Sequence, residues 1–222
     1  VKPFSLLATT ALVFGGLALT ATAGDIHRAD QAPGDADAVA AGKVSYAACG
    51  GCHGVEGEGK VGIAPRLNSS SYLAVVSNEF LKKTIVEGRE GTNMIAWGTA
   101  FPEETVNNIV SYIRSWQTTP GVELDESELK GDKKTGEALY KDICSRCHGR
   151  SAAGYSEAGA GTGIGRKGFL GQASNGTLRA IVRLGKDNTA MRSFDEKSPV
   201  AVANLTDEEV DSIIQYLRAN AW

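Results

Sequence analysis

A pentapeptide that occurs twice constrains this chain more than anything else in it. Cys49-Gly50-Gly51-Cys52-His53 is followed by Gly54, and Cys144-Ser145-Arg146-Cys147-His148 by Gly149. Together they use all four cysteines and two of the three histidines. C-x-x-C-H is the attachment signature of c-type haem. Two thiols three positions apart can each add across one vinyl group of the same porphyrin, and the adjacent histidine then falls under the iron. Other uses of paired cysteines fit less well. Zinc ribbons place their C-x-x-C pairs about 15–20 residues apart, whereas 91 residues separate Cys52 from Cys144. A thioredoxin-like redox pair needs a strand–helix–strand setting, and no strand pattern precedes either motif. Structural disulfides would leave both histidines unexplained.

Residues 1–23 read as an export signal: Lys2 supplies a positive start, Phe4 to Leu19 is apolar, and Ala21-Thr22-Ala23 is an A-x-A cleavage site. The alternative is an uncleaved membrane anchor, since the apolar run with its flanks approaches the ~20 residues that span a bilayer. Export suits covalent haem, which is attached after translocation, and the expected location is the periplasm. Residues 24–36 form a polar lead-in containing His27, which has no partner histidine or cysteine nearby and is expected to face solvent. Nothing resembles a nucleic-acid footprint.

The remainder reads as all-α. Val39, Gly42, Tyr46 and Cys49 recur at helical spacing and lead into the first motif. A short helix is expected from the cap candidate Asn78, carrying Leu81 and Ile85 inward and stopping at Gly88. Pro102 opens another, whose stripe is Val106, Ile109, Val110 and Ile113. Residues 118–131, with Pro120-Gly121 and four acids, read as an acidic linker. The pattern then repeats. Gly136 and Tyr140 precede Cys144 as Gly42 and Tyr46 precede Cys49. A helix near Thr177 stops at Gly185, Thr206 to Glu209 spells a capping box, and Val210, Ile213, Ile214 and Leu217 form the last stripe. Tyr112-Ile113-Arg114 is echoed by Tyr216-Leu217-Arg218. Such self-similarity means duplication, giving expected domains at 37–117 and 132–222. Each is short of large apolar residues, and units this small bury little surface alone; a haem would complete each core.

The chain has two methionines, one per repeat. Met94 lies 41 residues after His53 and Met191 lies 43 after His148, each six residues after the helix-stopping glycine. This spacing makes them candidate sixth ligands. His/Met ligation is associated with electron-transfer cytochromes and raises the reduction potential.

On these residues each half resembles a class I cytochrome c, and the pair resembles the soluble dihaem cytochromes of the c-four type. The resemblance implies two haem c groups held by Cys49 and Cys52 and by Cys144 and Cys147. It implies iron ligation by His53 with Met94 and by His148 with Met191. It further implies that Gly42 meets Tyr112, that Gly136 meets Tyr216, and that Pro65 positions the carbonyl accepting the His53 N–H. The second half has Gly-Thr-Gly-Ile-Gly-Arg at 161–166 and no proline there, so the resemblance does not say what orients His148. Ile95 and Arg192 stand where a proline often follows the methionine. The glycine-rich run 154–165 lacks dinucleotide-binding spacing and reads as a loop over haem.

Charge differs between the halves. Residues 24–117 carry 8 basic and 11 acidic side chains, and residues 132–222 carry 13 and 11. Arg146, Arg150, Arg166, Lys167, Arg179, Arg183, Lys186 and Arg192 read either as ordinary solvated surface with an arginine or two on haem propionates, or as a docking face for acidic partners while the first half faces basic ones. The functional expectation is a periplasmic one-electron carrier serving redox-protein partners, a donor and an acceptor, with no small-molecule substrate. The alternatives are an electron-transfer subunit of an oxidoreductase, and, with least support, a dihaem enzyme.

Overall fold

A computed structural model describes residues 30–195, 197–199, 201 and 203–222; the expected export signal and His27 lie outside the described residues. The described architecture is helical, and its single strand-like pairing is an isolated bridge between Lys60 and Ala64. In the first half the helices are α1 (Ala36–Ser45), α2 (Ala47–His53), α3 (Ser70–Leu73), α4 (Asn78–Glu87) and α5 (Glu103–Arg114). In the second they are α6 (Lys133–Leu139), a π-helical turn (Tyr140–Cys144), α7 (Ser145–His148), a 3₁₀ turn (Gly154–Glu157), α8 (Lys167–Leu170), α9 (Asn175–Leu184) and α10 (Asp207–Ala219).

Each half is built on the crossing of its first and last helices. A Cβ on Gly42 would lie 1.8 Å from the Asn108 carbonyl oxygen and 2.9 Å from Tyr112 Cβ, so only glycine lets α1 and α5 touch. A Cβ on Gly136 would lie 1.9 Å from the Ser212 carbonyl oxygen. The second crossing therefore rests on the backbone of α10 at Ser212, as the first rests on that of α5 at Asn108. Tyr216 packs against Tyr140, with ring centroids 5.3 Å apart. The matching pair in the first half, Tyr46 and Tyr112, is 5.4 Å apart, and Trp116 closes on both.

Behind these crossings lie the expected stripes: Val106, Ile109, Val110 and Ile113 on α5 and Val210, Ile213, Ile214 and Leu217 on α10 are all buried. The capping box at Thr206 and Glu209 forms. Helix α4 begins one residue earlier than its cap candidate suggests, because the Ser77 hydroxyl accepts the Phe80 N–H. Asn78 is thereby released for another role. Its Oδ1 accepts from Arg114, whose guanidinium also donates to the Leu73 and Val76 carbonyls. Arg218 repeats this arrangement on Asn175, Leu170 and Ala173. Arg114 is 2 % exposed, and burial pulls its guanidinium down to about 10. It remains charged at neutral pH, paired by carbonyl dipoles rather than by an acid.

The segment 118–131 is bound along its length. Thr118 and Thr119 donate to Ser70 Oγ, and the Val122 N–H donates to the Ala74 carbonyl. Further on, Glu126 accepts from Ser174 and from the Gly176 N–H at the start of α9. Arg179 donates to the carbonyls of Asp125, Ser127 and Glu128 and pairs with Asp211 at 2.6 Å. The two halves also touch directly. Phe80 meets Phe169 edge-on at 6.4 Å. Arg89 donates to Gln172, which donates to Glu87. Asp187 accepts from the hydroxyls of Ser69 and Ser71 and from the Ser71 N–H.

Two predictions follow from this packing. Gly42→Ala must push α1 from α5 and should cost more than ~2 kcal/mol. Gly168→Ala, whose Cβ would meet nothing within 4 Å, should leave thermal unfolding close to wild type. Equal midpoints for the two variants would contradict the crossing. The second concerns Asp211. Burial alone would raise its carboxyl, but hydrogen bonds from Arg179 and the Lys130 N–H outweigh it and hold it below the usual range. A carboxyl depressed in the folded state adds stability above its unfolded value of ~3.9, and that stability is lost as pH falls through the folded value. Asp211→Asn should therefore destabilise by ~1–3 kcal/mol near neutrality, with the difference shrinking below about pH 4 in denaturant unfolding.

Candidate haem centres

In the first half, helix α1 bends at Tyr46 into α2, which carries the whole pentapeptide. Cys49 and Cys52, three positions apart on a helix, share a face, and His53 is the last helical residue. The Tyr46 hydroxyl donates to the Gly54 carbonyl at 3.2 Å, and Gly54 leaves the helix at φ 82°. In the second half the Tyr140 hydroxyl donates to the Gly149 carbonyl at 2.7 Å, and Gly149 has φ 81°. There the bend is the π-helical turn ending at Cys144, a rare element that recurs at functional sites. The tyrosine lock is absent from the motif itself. Its one signal in the sequence is a tyrosine eight or nine residues before each of these glycines, four after another glycine.

None of the four cysteines is paired with another, and the disulfide reading falls. Burial pushes the thiols of Cys49 and Cys144 up to about 11, while Cys52 and Cys147 are exposed. Among the described residues no three His, Cys, Asp or Glu side chains converge to hold a metal ion, which removes the zinc ribbon.

The histidines are anchored alike. His53 Nδ1 lies 2.9 Å from the Pro65 carbonyl oxygen and His148 Nδ1 lies 2.7 Å from the Thr162 carbonyl oxygen. A carbonyl only accepts, so Nδ1 carries the proton in both rings and Nε2 keeps a free lone pair for a metal. Burial lowers the pKa of both imidazoles, with Lys186 adding to the effect at His53. The expected Pro65 contact is present, and Thr162 supplies what the proline-less loop left open. A Cβ on Gly161 would stand 2.9 Å from the His148 ring, so glycine there lets the loop close onto the imidazole.

Met94 and Met191 are half-buried, each in the same small loop. The Arg89 N–H donates to the Met94 carbonyl and the Lys186 N–H to the Met191 carbonyl, both at 2.7 Å. The methionine N–H groups donate to Thr92 and Thr189 hydroxyls, both at 3.1 Å. The shared Thr-x-Met triplet was visible in the sequence and is the better mark of these loops than the absent proline. The donor set of each half, two thiols and a neutral imidazole with its Nε2 free, fits covalent haem.

The profile of the family described as cytochrome c oxidase, cbb3-type, subunit III matches twice, at residues 36–113 and 131–217. The chain belongs to that family. It is 31% identical over 123 residues to the cbb3-type cytochrome c oxidase subunit FixP of a Bradyrhizobium species, covering 50% of this chain and 39% of that protein. It is 28% identical over 168 residues to the cbb3-type subunit CcoP of Rubrivivax gelatinosus, covering 74% and 51%. The chain thus spans about two fifths to half the length of these relatives. A chain of the Kuenenia stuttgartiensis reducing HAO-like protein complex shares the fold, with TM-score 0.53, 21% identity, and 86% and 98% coverage. The chain is therefore an all-α pair of tandem cytochrome c domains with two haem c attachment sites, Cys49/Cys52 and Cys144/Cys147, and its chemistry is electron transfer.

The structure corrects the expected basic face. Arg179 is spent on the linker and Asp211, and Arg183 on the Leu205 carbonyl and Asp207. Arg166 stacks on Trp222 at 4.2 Å and donates to the Glu90 carbonyl. Lys186 points into the first half, where burial pulls its ammonium down to about 8. Arg146, Arg150, Lys167 and Arg192 remain exposed. Guanidiniums that looked like free surface in the sequence hold carbonyls and carboxylates inside the fold.

Proposed function

We propose that this chain is a dihaem one-electron carrier of the periplasm, taking electrons from a donor complex and passing them to a terminal acceptor, with no bond-making reaction of its own. The observation that carries this is the matched anchoring of the two histidines, each held by a backbone carbonyl with Nε2 free, beside a Thr-x-Met loop of the same build. In this reading His53 and Met94 ligate the iron of the first half, and His148 and Met191 that of the second; the working domains are 37–117 and 132–222. When bound, haem supplies a one-electron iron couple whose potential the axial ligands set.

The chain's own residues do the rest. Pro65 and Thr162 hold the imidazole planes and increase their basicity through the Nδ1–H bond. Tyr46 and Tyr140 fix the exit of each motif helix. A methionine thioether at the sixth position favours the reduced state and leaves no coordination site for a substrate, which supports transfer rather than catalysis. Among the described residues no helix is long and apolar enough to cross a membrane. The periplasmic part of the proposal is supported by the export-signal pattern of residues 1–23.

A second reading is the electron-transfer subunit of a larger oxidoreductase. It is favoured by the relatives, which are named as oxidase subunits. Copurification with a stoichiometric partner would select it.

The test is a redox titration of the haem-loaded protein by visible spectroscopy, following the methionine–iron charge-transfer band with and without cyanide. Two one-electron steps that keep the band and ignore cyanide are expected. Met94→Ala and Met191→Ala should each remove about half the band and lower one potential. A wild-type haem that lacks the band and binds cyanide would overturn the carrier reading.

A further inference from the structure

We propose that Lys186, a residue of the second half, raises the reduction potential of the first haem from across the domain interface, acting as a fixed cation beside the His53 anchor. The inference rests on the haem reading above and assigns a tuning role to a side chain outside both attachment motifs.

The geometry is specific. Lys186 Nζ donates to the Arg66 carbonyl at 2.9 Å. The preceding carbonyl in the chain, that of Pro65, accepts the His53 Nδ1–H. The ammonium also lies 4.1 Å from the centre of the Tyr72 ring. Its backbone is held at the other end, where the N–H donates to the Met191 carbonyl. One residue thus reaches from the methionine loop of the second half to the histidine-bearing loop of the first.

Its charge has no direct counter-ion, although the Asp187 carboxylate acts on it through space. Among the described residues the ammonium forms no ion pair. The neighbouring carboxylate, Asp187, has one oxygen turned onto Ser69 and Ser71 and the other accepting from Asn188. Ferric haem carries one more positive charge than ferrous haem, so a nearby cation disfavours the ferric state and raises the potential. The effect grows where water is displaced.

The arrangement is one-sided. Arg89 occupies the matching place in the first half, with its N–H on the Met94 carbonyl. Its guanidinium is spent on Gln172 and Thr84 and lies over Phe80, and among the described residues no charged group acts on the His148 ring as Lys186 does on His53. The duplicated fold therefore gives the first haem a cross-domain cation that the second lacks.

The test is potentiometry of the intact haem-loaded protein, read separately at each haem through its own hyperfine-shifted methyl resonances. Lys186→Met removes the charge while keeping the length. It should lower the reduction equilibrium of the first haem by about three- to tenfold, tenfold being ~59 mV for one electron, and leave the second within about twofold. Lys186→Arg should retain the wild-type value. Asp187→Asn weakens hydrogen bonds across the same interface but removes an anion, so it should leave the first potential unchanged or raise it. An unshifted first haem in Lys186→Met, an equal shift of both haems, or an equal lowering by Asp187→Asn would overturn the proposal in favour of a purely structural lysine. Absence of the charge-transfer band in the wild type would instead overturn the ligand assignment.

Discussion

The structure depends on backbone touching backbone. At Gly42 and at Gly136 the first helix of a half lies against a carbonyl of its last helix, closer than any side chain allows. That contact puts Tyr46 on Tyr112 and Tyr140 on Tyr216, and the same tyrosines fix the glycine that follows each histidine. The attachment helix is therefore aimed by a crossing seven or eight residues upstream of its first cysteine. The chemistry of the motif is local, but its orientation belongs to the helix pair.

Much of this was legible in the sequence. Periodic apolar stripes, glycine stops, the capping box and the doubled pentapeptide are short-range patterns, and each reports its own local physics. The anchor of His148 was not legible, because a backbone carbonyl has no signature and any residue in the loop can supply one. Pro65 made the first anchor readable and its absence hid the second, although the two bonds differ in length by only 0.2 Å. The arginines misled for a related reason. An arginine in a polar stretch reads as surface, yet a guanidinium has five donors, and where carbonyls are left over at helix ends it folds inward. Arg114 and Arg218 do so. Arg179 and Arg183 likewise turn inward, onto loop carbonyls and the carboxylates of Asp211 and Asp207.

The duplication is faithful in scaffold and unequal in detail. Anchored histidines, tyrosine locks, methionine loops and buried arginines recur in both halves. The π-helical turn, the Thr162 loop and the orientation of Lys186 do not. A carrier with two equivalent centres has no preferred resting place for an electron; differences confined to the surroundings of each centre can create one without altering the ligands.

The strap at 118–131 has a consequence for how weak the contact between the halves can afford to be. One edge-on aromatic pair and a handful of hydrogen bonds would hold two separate chains poorly. Here the strap is fastened to the first half as far as Val122 and to the second from Asp125 onward, so little slack remains. Docking becomes intramolecular, at an effective concentration on the order of millimolar or more. Under that condition a sparse, polar interface suffices.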